Sequence, residues 1–445
     1  MNNNLSLKYI NKLAIPALIS GISEPILSIT DTAIVGNITV NPTESLAAVG
    51  IVSTFMSMLI WVFGQTRSSI SAIVSQYLGA DDLVAVRNLP AQAIFIVSAL
   101  SLLIILVTYP LASHIFKLYN ASGIILDYSV TYYRIRVFGF PFTLFTIAVF
   151  GTFRGLQNTH HPMIVAIIGA VVNIILDVVL VYGISGYIAP MNIKGAAYAS
   201  VIAQILMALF SAYYLLKKTS IPLLPKFPFN QEITRFLLMV VNLFIRTVAL
   251  NITLYFATRF ATGYGKNYIA AYTIAINLWF LGAFVIDGYA GAGNMMSGRL
   301  FGAKNYKDLV HLNKKLIKIG FFVGVVLAVA GTIVYKPIAL LFTKDQEVLK
   351  QFYSIFWIVL IMQPICAIAF IFDGIFKGLG KVATLRNVLL GATFLVFIPI
   401  LYSLDYFNLK LEGIFIALTF WMFARALPLL INFRKQFMPL LEDKV

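Results

Sequence analysis

Twelve apolar runs, each long enough to cross a bilayer as a helix, fill almost the whole 445-residue chain. Backbone N–H and C=O groups in hydrocarbon must be satisfied within the spanning segment or by closed sheets. Long, non-alternating apolar runs choose the helix. The chain therefore reads as an all-α membrane protein. Its spans are expected near 10–37, 45–78, 88–110, 128–152, 162–184, 195–217, 232–262, 267–300, 313–335, 350–376, 381–404 and 411–433. Charged residues make up only 11% of the chain, against about a quarter in soluble proteins, so too few are present to coat a water-facing surface.

The net charge of +16 is distributed in a way that excludes nucleic acid as the partner. Basic residues fall in short clusters between the apolar runs. About 20 of them, among them Lys8, Lys12, Arg87, Lys217, Lys218, Lys226, Lys314, Lys315, Arg434 and Lys435, belong to one side, against 7 on the other. The positive-inside bias then places both termini in the cytoplasm, and the lipid bilayer is the surrounding partner. The polar start "MNNNLSLKYINK" lacks a signal-peptide pattern, so the first apolar run is expected to stay as an uncleaved span. Cys366 is the single cysteine and reads as a small packing residue.

The two halves repeat. "LAAVGI" at 46–51 answers "IAAYTI" at 269–274, "YLGA" at 77–80 answers "LFGA" at 300–303, and "FRGL" at 153–156 answers "FKGL" at 376–379. All three pairs are 223 residues apart. Six spans per half make the repeats parallel, as in transporters built from two lobes. The expected division is an N-lobe over 1–217, a Pro- and Lys-rich cytoplasmic linker over 218–231 and a C-lobe over 232–445.

Carboxyl groups within these spans are the functional signal. A charged Asp at the bilayer centre costs about 3 kcal/mol on insertion scales, so it faces a protein interior, pairs, or carries a proton or ion. "EPILSITDTAIVGN" places Asp31 deep in the first span, with no Lys or Arg within two turns of sequence. Glu24 precedes it by seven residues. It either lies near the cytoplasmic end of a cavity or pairs with a base there. Pro16 and Pro25 interrupt the same helix and are candidate bending points. "GAVVNIILDVVLVYG" puts Asn173 and Asp177 four residues apart, on one helix face. In the next span, Ser200 and Gln204 share a face among small residues. In the second half Asp287 and Asp373 lie in apolar helices, and Arg246, the one strong internal cation read here, could pair with either. Tyr132, Tyr133, Trp279, Phe280 and Tyr289 are core or interface aromatics that could also line a cavity for greasy cations. No His/Cys set has metal spacing, and no nucleotide or nucleophile-elbow motif is present. The expectation is a transporter, neither an enzyme nor a cofactor protein, powered by an ion gradient.

The motifs "LSITDTAIVGN", "GAVVNIILDVVLVYGISGYIAPMNIKGAAYASVIA", "IDGYAGAGNMMSGRLFGAKN" and "FDGIFKGLGKVATLRN" resemble the multidrug and toxic compound extrusion (MATE) family, in its DNA-damage-inducible F-like (DinF) branch. They occur in family order across nearly the whole chain. The resemblance implies a twelve-helix antiporter with two six-helix lobes, exporting hydrophobic or cationic compounds in exchange for H+ or Na+. It further implies that Asp31, Asn173, Asp177 and Ser200 form the ion site and that Pro16 is the bending proline. The chain departs from the pattern at Asn294, where relatives often carry an acid, and at Glu24, where an apolar residue is common. The resulting expectation is a monomeric exporter of the inner (plasma) membrane without cofactor, coupled to H+ or alternatively Na+. A lipid-linked precursor flippase of the related superfamily is the rival reading.

Overall fold

A helix in hydrocarbon presents its aliphatic face to lipid and keeps small or polar residues for its neighbours. The computed structural model of the protein, which describes residues 5–22, 30–38 and 40–442, is built almost wholly from such helices. Among the described residues there is no β-strand, only an isolated bridge between Ile184 and Ile188. In the first half α1 covers Leu7–Gly21 with Pro16 inside it, and residues 30–35 form α2. Then follow α3 (Pro42–Phe63), α4 (Gln65–Gly79), α5 (Leu89–Leu118), α6 (Gly123–Arg136), α7 (Phe140–Gly155), α8 (His160–Tyr182) and α9 (Ile193–Lys218). The second half contains α10 (Ile233–Gly263), α11 (Lys266–Gly302), α12 (Tyr306–Phe342), α13 (Gln346–Gly378), α14 (Val382–Gly391), a π-helical stretch (Ala392–Phe397), α15 (Ile398–Tyr406), α16 (Lys410–Phe437) and the short α17 (Pro439–Glu442).

Among the described residues eleven spans are long and apolar enough to cross a membrane. The first expected span, 10–37, holds α1 and α2. Glu24 and Pro25 within it lie outside the described residues. Several helices outrun the apolar stretches that announced them: α12 begins at Tyr306 rather than 313, and α5 continues through Pro110 to Leu118. A helix does not stop where the hydrocarbon does, and its polar ends protrude.

The helix ends keep the 223-residue register of the sequence. Gly123–Gly155 (α6 and α7) maps onto Gln346–Gly378 (α13), and the end of α4 at Gly79 maps onto the end of α11 at Gly302. Packing repeats with it. A Cβ built on Gly151 of α7 would lie 2.7 Å from the carbonyl oxygen of Arg67 in α4. On Gly374 of α13 it would lie 2.0 Å from that of Ala290 in α11. Gly155 meets Ser71 and Val74, while Gly378 meets Asn294 and Ser297, the same positions one repeat later. Each half thus uses a Gly-x-x-x-Gly face to bring two helix backbones together.

The chain divides into two compact units. The first comprises Ile19–Tyr77 and Asp82–Val240. The second comprises the chain up to Leu18, Leu78–Asp81 and everything from Val241. The connection after α9 is fastened to the first unit. The Gln92 side chain donates to the carbonyls of Lys226 and Pro228 and accepts from the Asn230 N–H, and Arg87 Nε donates to Ser220 O at 2.7 Å. In the second unit the main apolar core gathers α10, α11, α13 and α16 around Trp279, Phe352, Phe415 and Trp421. Cys366 is fully buried there, its sulfur accepting from Trp279 Nε1 at 3.3 Å.

Candidate functional site

α8 explains how two polar residues survive in an aliphatic helix. Val165, Gly169, Asn173, Asp177 and Val181 recur every four residues and are buried, while Ile167, Val171, Ile174, Ile175 and Val178 are exposed. The polar pair therefore lies on the protein-facing stripe and the aliphatic face is left for lipid. The facing stripe of α9 is built from small residues, Ala196, Ala199, Ser200 and Ala203, which let the two helices approach closely.

A break between α6 and α7 brings in the third component. Pro141 follows a 3₁₀ turn at Val137–Gly139, consistent with its missing N–H and the clash its ring makes with the preceding turn. The last turns of α6 just before it carry Tyr132 and Arg136. Gly139 leaves room for Gln204, whose Oε1 would lie 1.8 Å from any Cβ there.

These elements converge on Asp31. Its Oδ2 accepts from Tyr132 OH at 2.8 Å and from Ser200 Oγ at 2.7 Å, and Arg136 NH2 stands 3.7 Å away. Asn173 Nδ2 donates to Ser200 Oγ at 3.3 Å. Asp177, one turn after Asn173 on the same face of α8, lies close enough to the Asp31 carboxyl to feel its charge. Asp31, Asp177, Asn173, Ser200 and Tyr132 are all 0% exposed. Among the described residues no donor reaches Asp31 Oδ1, Asn173 Oδ1 or either oxygen of Asp177. Among the described residues two buried carboxylates face the Arg136 guanidinium. Such a cluster is one positive charge short of balance, and burial makes that deficit costly. One proton shared between the carboxyls, or one monovalent cation, removes it.

Of the residues singled out from sequence, Asp31, Asn173, Asp177, Ser200 and Tyr132 come together, and Gln204 is buried close by on α9. Sequence spacing left Asp31 without a cation, and the structure corrects this. Arg136 lies 105 residues away in the chain, within the segment expected to span 128–152, and the fold carries it to Asp31. Its signal was present: an arginine inside an apolar span, one turn after Tyr132.

In the second unit the internal charges form a separate cluster. Asp373 Oδ2 accepts from Arg246 NH2 and, at 2.6 Å, from Arg425 NH2. Arg425 also stacks over Trp421, 4.6 Å from its ring centre. Arg246 is thus not the one internal cation. Arg425, only 2% exposed, shares its acid, and Arg136 and Arg154 are buried as well. Asp287 is exposed and takes no part in this ion pair. Asn294 is buried in the α11–α13 seam, where its carbonyl oxygen faces Gly378. Tyr133 and Trp279 are core residues, bonded to Thr108 and Cys366.

The acidic cluster has no counterpart one repeat later. At the 223-residue offset Asp31, Tyr132, Arg136, Asn173 and Asp177 correspond to Leu254, Ile355, Val359, Val396 and Ile400, all aliphatic. The scaffold is duplicated and the polar site is not.

Comparison with known proteins agrees with this architecture. The family model described as MatE matches residues 16–179 and again 240–403, once in each repeat. The DNA damage-inducible protein F of Escherichia coli is 25% identical over 382 residues, covering 84% of this chain and 81% of that protein. Protein DETOXIFICATION 43 of Arabidopsis thaliana is 29% identical over 296 residues, and that match spans 66% of this chain but only 55% of the plant protein. A crystal structure of a MATE protein in the bent conformation superposes with a TM-score of 0.88 at 22% identity, over 98% of this chain and 96% of that one. The chain belongs to the MatE family, the multidrug and toxic compound extrusion transporters.

Proposed function

We propose that this multi-pass transporter is a secondary antiporter of the inner membrane, with both termini cytoplasmic, exporting hydrophobic or cationic compounds in exchange for H+. The observation that supports the reading is the buried cluster of Asp31, Asp177 and Arg136, which among the described residues is one positive charge short. Proton uptake from outside closes a carboxyl–carboxylate hydrogen bond between Asp31 and Asp177. The neutralised cluster then tolerates a tighter, drier packing that expels the cargo. Proton loss to the cytoplasm restores the charged form that receives cargo. Coupling follows when ion and cargo prefer different states of one equilibrium. Tyr132 and Ser200 hold the Asp31 carboxyl in place by donating to it, and Pro16 gives the first helix a point at which to bend.

A Na+ reading has its own support, the four buried oxygens of Asp31, Asn173 and Asp177 that accept from no donor among the described residues. Arg136 favours the proton, because a proton enters a hydrogen bond whereas a sodium ion must sit as a second point charge near the guanidinium.

The test is dye efflux from vesicles reconstituted with the purified protein, under a pH gradient and a Na+ gradient imposed separately. Asp31→Asn and Asp177→Asn are each expected to abolish gradient-driven efflux while the protein still folds as a monodisperse species. Full efflux by both variants would sink the proposal. Drive by Na+ alone would replace the proton with sodium.

A further inference from the structure

We propose that the Arg246–Asp373–Arg425 triad of the second unit is a binding site for the carboxylate group of a hydrophobic organic anion. Its charge count is the reverse of that around Asp31. Among the described residues two guanidinium groups share one carboxylate, and neither forms an ion pair with a second acid. The neighbouring charges are cations too. Lys377, one turn after Asp373, stands close enough to feel its charge, and Arg386 donates to Asn242, one turn before Arg246. Both arginines of the triad point at the same oxygen, Asp373 Oδ2. That leaves donors to spare, because a guanidinium carries five N–H groups. No acceptor among the described residues reaches the buried Arg246 Nε, and Arg425 NH1 donates to the weakly accepting thioether of Met422, at 3.4 Å. A buried donor without an acceptor is costly, and a second carboxylate would both satisfy it and offset the surplus charge.

The repeated scaffold does not call for these charges. One repeat earlier the three positions are Ser23, Phe150 and Ile202, and none is charged. The triad is also less enclosed than the acidic site. Asp31 and Asp177 are 0% exposed, whereas the side chains of Asp373 and Arg246 keep 10% and 7% of their surface. The geometry selects the ligand. Arg425 lies over the rings of both Trp421 and Phe370, 4.6 and 5.4 Å from their centres, and this stacking fixes the plane of its guanidinium. A fixed planar fork suits the two oxygens of a carboxylate better than a spherical halide. A triad with one charge in surplus suits a monoanion better than a doubly charged phosphate. Phe370 is half-buried and stands one turn before Asp373 on the same face of α13, so an apolar surface adjoins the guanidinium pair. The ligand class that meets all of these features is a monocarboxylate with a hydrophobic body.

The experiment uses the full chain, purified in detergent, and equilibrium dialysis against radiolabelled benzoate, with unlabelled benzoate, chloride, inorganic phosphate or benzylamine as competitors. Benzoate is expected to bind saturably and to be displaced by unlabelled benzoate far better than by the other three. Arg246→Gln leaves Asp373 and Arg425 as a balanced pair, so the protein should fold while benzoate affinity falls about 10- to 100-fold, the worth of one charge-assisted hydrogen bond. Asp373→Asn widens the surplus, and benzoate should raise the melting temperature of that variant by more than it raises the parent's, because it replaces the missing carboxylate. No saturable binding to the parent, unchanged affinity in Arg246→Gln, displacement by chloride, phosphate or benzylamine as effective as by benzoate itself, or no extra stabilisation of Asp373→Asn would each overturn the assignment. The inference goes beyond the proton-exchange reading and does not rest on it. No gradient is applied in this assay, so either can fail alone.

Discussion

Replacing Gly374 with alanine adds a single methyl group at the tightest point of the α11–α13 seam. The new Cβ would lie 2.0 Å from the carbonyl oxygen of Ala290, about 1 Å inside the shortest contacts that real Cβ atoms make. No rotamer relieves it, because the obstacle is backbone, so the two helices must separate along several turns. Overpacking of a filled interior costs about 1–3 kcal/mol, and a backbone obstacle belongs at the upper end of that range. The helix propensity gained by replacing glycine returns at most about 1 kcal/mol. A net loss of about 2–3 kcal/mol corresponds to a melting temperature lower by roughly 4–12 °C for a unit of this size. The repeat mate Gly151, with its virtual Cβ at 2.7 Å from Arg67 O, should lose less when changed to alanine. Gly391 has no atom within 4 Å of its virtual Cβ, so Gly391→Ala should not destabilise. The assay is thermal unfolding of the three purified variants in one detergent. Equal melting of Gly374→Ala and Gly391→Ala would refute the claim that backbone contact sets the seam.

Arg136→Gln removes an attraction of about 4 kcal/mol between charges near 4 Å, taking an effective dielectric of about 20, and leaves two acids without a cation. The cluster should then balance on two added positive charges, raising the ion-to-cargo stoichiometry measured from reversal potentials in vesicles; an unchanged ratio would contradict the charge count. Asp373→Asn strands two buried guanidinium groups and should cost about 3–5 kcal/mol in a melting experiment, and a shift under 1 kcal/mol would show that Arg246 and Arg425 find other partners. Gln92→Ala removes three hydrogen bonds to the connection after α9, so limited proteolysis should cut residues 219–232 faster than in the parent, with equal rates counting against the clamp.

The acids of the candidate site were legible because a carboxyl in an aliphatic helix has few other reasons to be there. Asp31 and Asp177 stand out by chemistry alone, and the i, i+4 spacing of Asn173 and Asp177 names the face they share. The arginines were harder to read. Arg136 sits in "TYYRIRVFGF" and Arg425 in "FWMFARALP", and sequence treats a base near a span as an orientation signal rather than a partner. Which acid each would meet depends on long-range packing that no local period encodes. The repeat was legible in three short echoes, yet its physical content, glycine faces pressed on carbonyl oxygens, emerges only when the helices pack. Asn294, the departure from the family pattern, is buried, with its main-chain carbonyl against Gly378.

Under the proposed exchange, a cluster that balances on one added charge would also bound the work this protein can do. Swapping one proton for one monovalent cationic compound moves no net charge, so the membrane voltage drops out. Each unit of pH difference then sustains at most about a ten-fold accumulation ratio. An uncharged compound exported against the same proton leaves one charge moving inward. The voltage then adds about 2.3 kcal/mol per 100 mV, roughly 50-fold in attainable ratio. The Arg136 guanidinium beside Asp31 would thus help decide which poisons a resting cell expels most completely, favouring neutral ones over cationic ones.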